Sequence, residues 1–291
     1  MSEAAMTAAL PPLRDVIRRH GLDARRSLGQ HFLLDQNLTD RVVRAAGPLA
    51  GVGVVEVGPG PGGLTRSLLA AAPAKVVAIE KDARCAAAIR ELAEVFPDRL
   101  EVVEADALAL DVRALAPAPR KVIANLPYNI ATPLLIGWLR NARDFAGFTL
   151  MLQQEVAQRL AAGPGSAAYG RLTVLVQWLC AVEYQFAVDR RAFVPPPRVT
   201  SAVVNLTPRP EPLAHAEWRA LETVTQAAFG QRRKMLRSSL RALGIDAAAV
   251  GIQPTRRAEE LSVAEFCALA RLHAASGGSS DAEQPAAGSG A

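Results

Sequence analysis

Four short apolar runs, each closing on a polar residue and each set apart from the next by a helix-length or loop segment, limit what this chain can fold into. They lie at 53–57, 75–79, 100–104 and 121–124. Runs rich in Val and Ile with little polar alternation read as strands buried on both faces. Between them, 64–72 reads as a helix stopped by Pro73, and 83–95 as a second helix. Strand and helix in alternation mean βαβ units and a parallel sheet. Further strands are expected at 148–152, 182–188 and 202–206. A short helix starts at Leu13 and ends by Gly21, and Asp35 caps another from Gln36 to Ala46.

In an open α/β sheet, ligands bind beyond the carboxyl ends of the strands. The first run ends in Gly58-Pro59-Gly60-Pro61-Gly62-Gly63, which matches G-x-G-x-x-G at Gly58, Gly60 and Gly63. Glycines there allow a tight strand-to-helix turn and close approach of a ligand to the backbone. Glu80 ends the second run, where a carboxylate can accept both hydroxyls of a ribose. Asp106 follows the third, within reach of an adenine amine, and Asn125 follows the fourth. Glu56, two residues before Gly58, suits a cation better than a pyrophosphate. Together Glu56, Gly58, Glu80, Asp106 and Asn125 point to S-adenosylmethionine.

The fourth strand runs into Asn125-Leu126-Pro127-Tyr128-Asn129-Ile130. Pro127 ends the strand and stiffens the turn. The Asn125 side-chain oxygen and the Leu126 carbonyl can accept hydrogen bonds from an exocyclic amine, and the Tyr128 ring can stack on the base that carries it. Phe193, just before Pro195-Pro196-Pro197, is the expected second stacking face.

Net charge is +5 with a pI near 9.5, which favours an anionic partner, nucleic acid first. Cys85, Cys180 and Cys267 are far apart among apolar residues, so neither a disulfide framework nor a metal site is expected. With no run long enough to span a membrane and no signal pattern, a cytoplasmic protein without membrane or metal is expected.

Residues 1–12 lack periodicity and are expected to be disordered. Thr207-Pro208-Arg209-Pro210-Glu211-Pro212 reads as a stiff linker, dividing a domain at 13–207 from a helical one at 208–275. In the latter, Phe229, Leu236, Leu240 and Leu243 predict one face of a helix over 229–243 ended by Gly244. Arg233, Arg237 and Arg241 recur every fourth residue on another face and are expected to contact RNA phosphates. Arg18, Arg19, Arg25 and Arg26 are expected to add to that surface. Ser262-Val263-Ala264-Glu265 is a capping box opening a last helix. Residues 276–291, rich in Gly, Ser and Ala, read as a disordered tail.

Several of these stretches together carry a resemblance. Leu28-Gly29-Gln30-His31-Phe32-Leu33, Glu56-Val57-Gly58-Pro59-Gly60, Asn125-Leu126-Pro127-Tyr128-Asn129 and Phe193-Val194-Pro195-Pro196-Pro197-Arg198-Val199 occur in this order. Ala168-Tyr169-Gly170-Arg171-Leu172, Phe229-Gly230-Gln231-Arg232-Arg233-Lys234-Met235-Leu236-Arg237 and Arg257-Ala258-Glu259-Glu260-Leu261-Ser262 join them. Over about residues 14–275 the chain resembles the small-subunit ribosomal RNA adenine-N6,N6-dimethyltransferases, the KsgA/RsmA family. That resemblance implies an α/β, Rossmann-like class I S-adenosylmethionine-dependent methyltransferase core with a mostly parallel seven-stranded sheet, plus a small helical domain. It implies dimethylation of N6 on two adjacent adenosines near the 3′ end of 16S rRNA, in the small subunit or its precursor, by a monomer. By matching positions it implies cofactor contacts at His31, Leu33, Gly58, Gly60, Glu80, Asp106 and Asn125. His31 stands where the pattern often has Asn.

Three rivals remain at this level. A 23S rRNA adenine methyltransferase of the antibiotic-resistance type shares most motifs, though the Arg-rich C-terminal stretch tips away from it. An NAD-binding oxidoreductase would need a hydride-site acid/base, typically Tyr-Lys or His, after the fourth strand, and Tyr128 has no Lys four residues on, where Thr132 stands. A non-enzymatic rRNA assembly factor would have no need of Asn125, Pro127 and Tyr128.

Overall fold

The computed structural model describes residues 10–22 and 30–277, in two compact units. The disorder expected at 1–9 and 278–291, and the roles expected of Arg25 and Arg26, lie outside the described residues. Residues 10–12 are ordered: the Pro11 carbonyl accepts a 2.7 Å bond from Arg66, and Pro12 opens the first helix.

The first unit takes in the chain up to Ala161 and again Leu179–Glu211. Its elements are α1 (Leu13–Arg19), β1 (Phe32–Leu33), α2 (Gln36–Ala45), β2 (Gly53–Val57), α3 (Gly63–Ala70), β3 (Lys75–Glu80), α4 (Ala83–Val95), β4 (Leu100–Glu104), β5 (Arg120–Asn125), α5 (Tyr128–Leu139), β6 (Gly147–Gln153), α6 (Gln154–Ala161), β7 (Cys180–Val188), β8 (Phe193–Val194) and β9 (Ser201–Pro208). Seven strands form one sheet in the order β4-β3-β2-β5-β6-β9-β7. The first five are parallel, and β9 runs antiparallel to both β6 and β7. Strand order reverses between β2 and β5, so a crevice opens at their carboxyl ends. Every residue of β2 is buried, as central strands covered on both faces must be. Asp35 and Asp82 cap α2 and α4 by accepting from the amides of Asn37 and Arg84.

One expectation needs correction here. β9 continues through Pro208, so the first part of 207–212 is strand, not linker. The polar-apolar break at the prolines marks the end of a sheet strand whose last residue pairs with Cys180.

The second unit joins 162–178 to the C-terminal residues from Pro212 onward. Thus the division is not the linear one at 207/208. Its helices are α7 (Arg171–Leu179), α8 (Trp218–Gly230), α9 (Leu236–Ser239) and α10 (Val263–Ala275). Tyr169 packs edge-on against Phe229, which stacks on Phe266 at 5.4 Å. Arg171 pairs with Glu222 at 2.8 Å, and Arg232 donates to the carbonyls of Ala167 and Tyr169. These contacts, between residues distant in sequence, decide the membership of 162–178. The expected helix over 229–243 is two helices and a turn. α8 stops at Gly230, a poor helix former. The chain then turns so that Met235 bridges Arg257 and the Leu236 amide donates to the Arg256 carbonyl, before α9 starts.

Candidate active site

β2 hands the chain to the glycine loop, and the loop is fixed from two sides. Gly60 has φ +57, and a Cβ on it would press the Phe32 ring at 3.0 Å. Its amide donates to Glu80 Oε2 at 3.1 Å. Gly63 opens α3 with its Cα against the Leu33 carbonyl, so closely that a Cβ there would collide with backbone. The two glycines therefore serve different needs: one a left-handed turn, the other close passage of β1 over the helix start. That passage places His31 and Leu33 beside the loop, where both line the same cavity as Gly58 and Gly60.

Three carboxylates face this cavity. Glu80, 7 % exposed, is held by three backbone donors: Lys81 and Asp82 amides at 2.8 Å on Oε1, and Gly60 on Oε2. Burial pushes its carboxyl up, against these hydrogen bonds, which pull it down. A carboxylate fixed in this way keeps one face of Oε2 for a ligand hydroxyl. Asp106 accepts from Lys81 Nζ at 2.8 Å and caps the turn after β4 through the Leu108 amide. The Lys81 ammonium holds Asp106 below the ordinary carboxyl range. Glu56 is 1 % exposed and accepts a 2.7 Å bond from the Thr65 hydroxyl. Burial pushes its carboxyl up to about 8, with Glu80 adding to the rise.

The turn after β5 completes the site. Asn125 is the last residue of β5, and its Nδ2 donates to the His31 carbonyl at 3.3 Å. That bond assigns the amide and leaves Oδ1 as an acceptor. The Leu126 amide donates to the Met151 carbonyl, continuing the sheet pairing and holding the turn against β6. Pro127 precedes α5, so its ring starts the helix. Tyr128 bonds the buried Ser201 hydroxyl at 2.6 Å, and its ring lies 5.9 Å from the His31 ring at 30°. Burial raises the Tyr128 phenol, and the Ser201 bond lowers it.

His31, Leu33, Gly58, Gly60, Glu80, Asp106, Asn125, Leu126, Pro127 and Tyr128 are thus brought to one cavity in the first unit. Phe193 is not among them. It is 1 % exposed and sits in the core with Leu33, Val43 and Leu64. The reason is register: Phe193 pairs directly opposite Leu33, and directly opposed side chains point to the same side of a ladder. Leu33 turns inward, so Phe193 does too. Arg233, Arg237 and Arg241 are exposed in the second unit, but on a turn, on α9 and on the turn after α9, not on one helical face. Sequence reasoning missed Lys81 and Ser201. Lys81 carried a readable signal, a cation at the end of a strand flanked by carboxylate-bearing ends. Ser201 carried none, because only the antiparallel return of β9 beside β6 brings it under Tyr128.

The cavity's donor set fits a cationic nucleoside. Among the described residues its acidic groups are Glu56, Glu80 and Asp106, and its one lysine is already paired to Asp106, which leaves no unpaired Lys or Arg for a pyrophosphate. Residues 21–275 match the family described as ribosomal RNA adenine dimethylase. The chain belongs to that family. It is 61% identical over 272 residues to the ribosomal RNA small subunit methyltransferase A of Rhodospirillum rubrum, covering 92% of this chain and 94% of that one. Among solved structures it is similar to a dimethyladenosine transferase from Plasmodium falciparum, with a TM-score of 0.72, 26% identity, and 85% and 98% of the two chains covered. It is also similar to the 23S rRNA methyltransferase ErmE, with a TM-score of 0.63, 28% identity, and 82% and 98% covered. The fold is that of the class I S-adenosylmethionine-dependent methyltransferases, and the family's cofactor is the one the strand ends suggested. Among the described residues no group of His, Cys, Asp and Glu could hold a metal ion, and no helix is long and apolar enough to cross a membrane.

Proposed function

We propose that this protein transfers methyl groups from S-adenosylmethionine to N6 of two adjacent adenosines near the 3′ end of 16S rRNA, two to each base. Its substrate is the small ribosomal subunit or a precursor, and it acts as a monomer in the cytoplasm. The observation that carries this reading is Asn125. Its amide is tied through Nδ2 to His31, with Oδ1 left as an acceptor at the mouth of an acidic cavity. Identity of 61% to a small-subunit enzyme, against 28% to a 23S one, favours the small subunit as substrate.

The chemistry follows from the geometry. The N6 amine of adenine is a weak nucleophile because its lone pair is delocalised into the ring. Asn125 Oδ1 and the Leu126 carbonyl accept its two hydrogens, which draws the nitrogen towards a tetrahedral shape. Its lone pair then projects into the cavity. S-adenosylmethionine supplies an electrophilic methyl group on a sulfonium. Glu80 and Asp106 orient the nucleoside end of that cofactor through its ribose and base. Orientation of this order can remove up to about 7–11 kcal/mol from a barrier. The Tyr128 ring holds the extruded base by stacking, as an adenine taken out of its helix requires. Arg233, Arg237 and Arg241 are the proposed phosphate contacts of the second unit.

Mass spectrometry of 16S rRNA tests this directly. RNA from a strain lacking the gene should lose the two dimethyladenosines. The wild-type gene should restore them, and Asn125→Ala should not. Restoration by Asn125→Ala, or an unmodified 16S rRNA in the wild type, would overturn the reading.

A further inference from the structure

Many arginines of the first unit are spent on the protein's own carboxylates. Arg18, Arg19, Arg84, Arg90, Arg113 and Arg191 each hold one in a salt bridge. Three others on adjoining elements are not: Arg41 and Arg44 of α2, and Arg190 in the turn after β7. All three are exposed, and none forms a salt bridge within the described residues. Asp189 lies beside Arg190 but is held by Arg191 at 3.0 Å. Arg41 is not loose for want of a carboxylate. Its guanidinium carbon sits over the half-buried Phe186 ring of β7, 3.8 Å from the ring centre. That contact takes one side of the guanidinium, restrains the side chain, and leaves its N–H groups for an anion.

The three cations follow one edge of the sheet. β7 is an edge strand, and since β9 runs antiparallel to both β6 and β7, β7 leaves the sheet at the same end as β6, the cavity end. Arg190 follows two residues after Val188, and three residues before Phe193, the partner of the cavity-lining Leu33. α2 starts three residues after Leu33 and ends where the Ala46 carbonyl accepts from Lys121 near the start of β5, so it runs from the cavity end towards the far end. Arg41 stands midway along it, and Arg44 is three residues on, on the same side of the helix. An extruded adenosine leaves the phosphates of its own strand at the protein surface beside the cavity, and unpaired guanidinium groups are suited to receive them.

We propose that Arg41, seated on Phe186, forms with Arg44 and Arg190 a phosphate-binding strip that carries the RNA strand flanking the target adenosine along the β7 edge. This rests on the methyl-transfer reading above. The strip recognises backbone phosphates and reads no base.

The test is equilibrium binding to small ribosomal subunits purified from a strain lacking the gene, at a series of salt concentrations, with calorimetric titration of S-adenosylmethionine on each protein. Replacing Arg41, Arg44 and Arg190 together by Gln should lower the slope of log affinity against log salt by about 2, at about 0.7 for each phosphate of a single strand no longer neutralised. Phe186→Leu keeps all three charges and removes the seat. It should leave the slope as in wild type and weaken binding about two- to fivefold, the worth of an exposed cation over a ring. Cofactor affinity should stay within about twofold of wild type in both proteins. An unchanged slope in the triple variant would make the three arginines solvated side chains and overturn the proposal. Weaker binding at an unchanged slope would do the same, because it would point to a carboxylate-bearing ribosomal protein, which releases no condensed counterions. A fall in cofactor affinity alongside the loss would make the residues structural, and an unimpaired Phe186→Leu would remove the seat from the argument; either overturns it. A wild-type protein that binds S-adenosylmethionine but neither binds nor methylates the small subunit would overturn the parent reading, and that result is visible before any variant is made.

Discussion

Replacing Glu56 by Gln should make the cofactor-free protein more stable at neutral and alkaline pH and leave it little changed in mild acid. Glu56 is 1 % exposed at the end of β2, and a carboxylate in such a place lacks the solvation that would hold its charge. Its carboxyl stands at about 8 instead of 4.5, through burial first, with the Thr65 bond opposing and Glu80 reinforcing the rise. The native state therefore keeps a proton that the unfolded chain releases above pH 4.5. Stability from this group is fully present below pH 4.5, falls through the window from 4.5 to about 8, and is lost above it. At about 1.4 kcal/mol per pH unit the full loss is of order 5 kcal/mol, and between pH 5 and 7.5 it is about 3 kcal/mol. Gln cannot ionise, and its amide oxygen can accept from Thr65 as the carboxyl oxygen does. Other ionisable groups lining the same cavity are Glu80, Lys81, Asp106, His31 and Tyr128, and all are common to the two proteins compared. Glu80 is the one whose charge acts on Glu56 directly. The assay is urea denaturation of both proteins at a series of pH values from 5 to 8. The difference in unfolding free energy should move in favour of Gln as pH rises. A flat difference would mean that Glu56 is already ionised in the folded protein, and the argument from its burial would fail.

Three further outcomes concern the first unit, and one the second. Asn125→Ala should lower single-turnover methylation by about 10²–10³, the usual worth of a hydrogen-bond partner used chiefly in the transition state. Tyr128→Phe should keep most of the rate but lose about 1–2 kcal/mol of stability by urea denaturation, because the buried Ser201 hydroxyl loses its partner. Tyr128→Ala should lose the rate as well, so equal rates for Phe and Ala would end the stacking assignment. Gly63→Ala should cost about 1–3 kcal/mol and weaken cofactor binding in calorimetry, since the new methyl group meets the Leu33 carbonyl. For the second unit, replacing Arg233, Arg237 and Arg241 together by Gln should lower the slope of log affinity for RNA against log salt by about 2, at about 0.7 for each phosphate of a single strand that is no longer neutralised. An unchanged slope would leave them as solvated side chains.

What the sequence determined by itself was periodic or local. Apolar runs separated by helix-length segments read as a parallel sheet, because a buried strand must pair along its edges and a helical crossover brings the chain back to start the next strand at the same end. The observed β2, β3, β4 and β5 lie within a residue of the runs that announced them. The residues at their carboxyl ends, Gly58, Glu80, Asp106 and Asn125, then had to converge, since a parallel sheet places all those ends on one edge. Caps at Asp35 and Ser262 were equally legible, being set within a few residues. Tertiary structure decided whatever depended on a partner distant in the chain. Phe193 is buried because pairing with Leu33, 160 positions earlier, fixes the direction of its side chain. Pairing of Met235 with Arg257 breaks an apolar pattern that would otherwise have continued as one helix. Residues 162–178 join the C-terminal helices through contacts of Tyr169 and Arg171 that no local pattern encodes. And the carboxyl of Glu56, ordinary as a letter in the sequence, holds its proton near neutrality only because the fold removes water from around it.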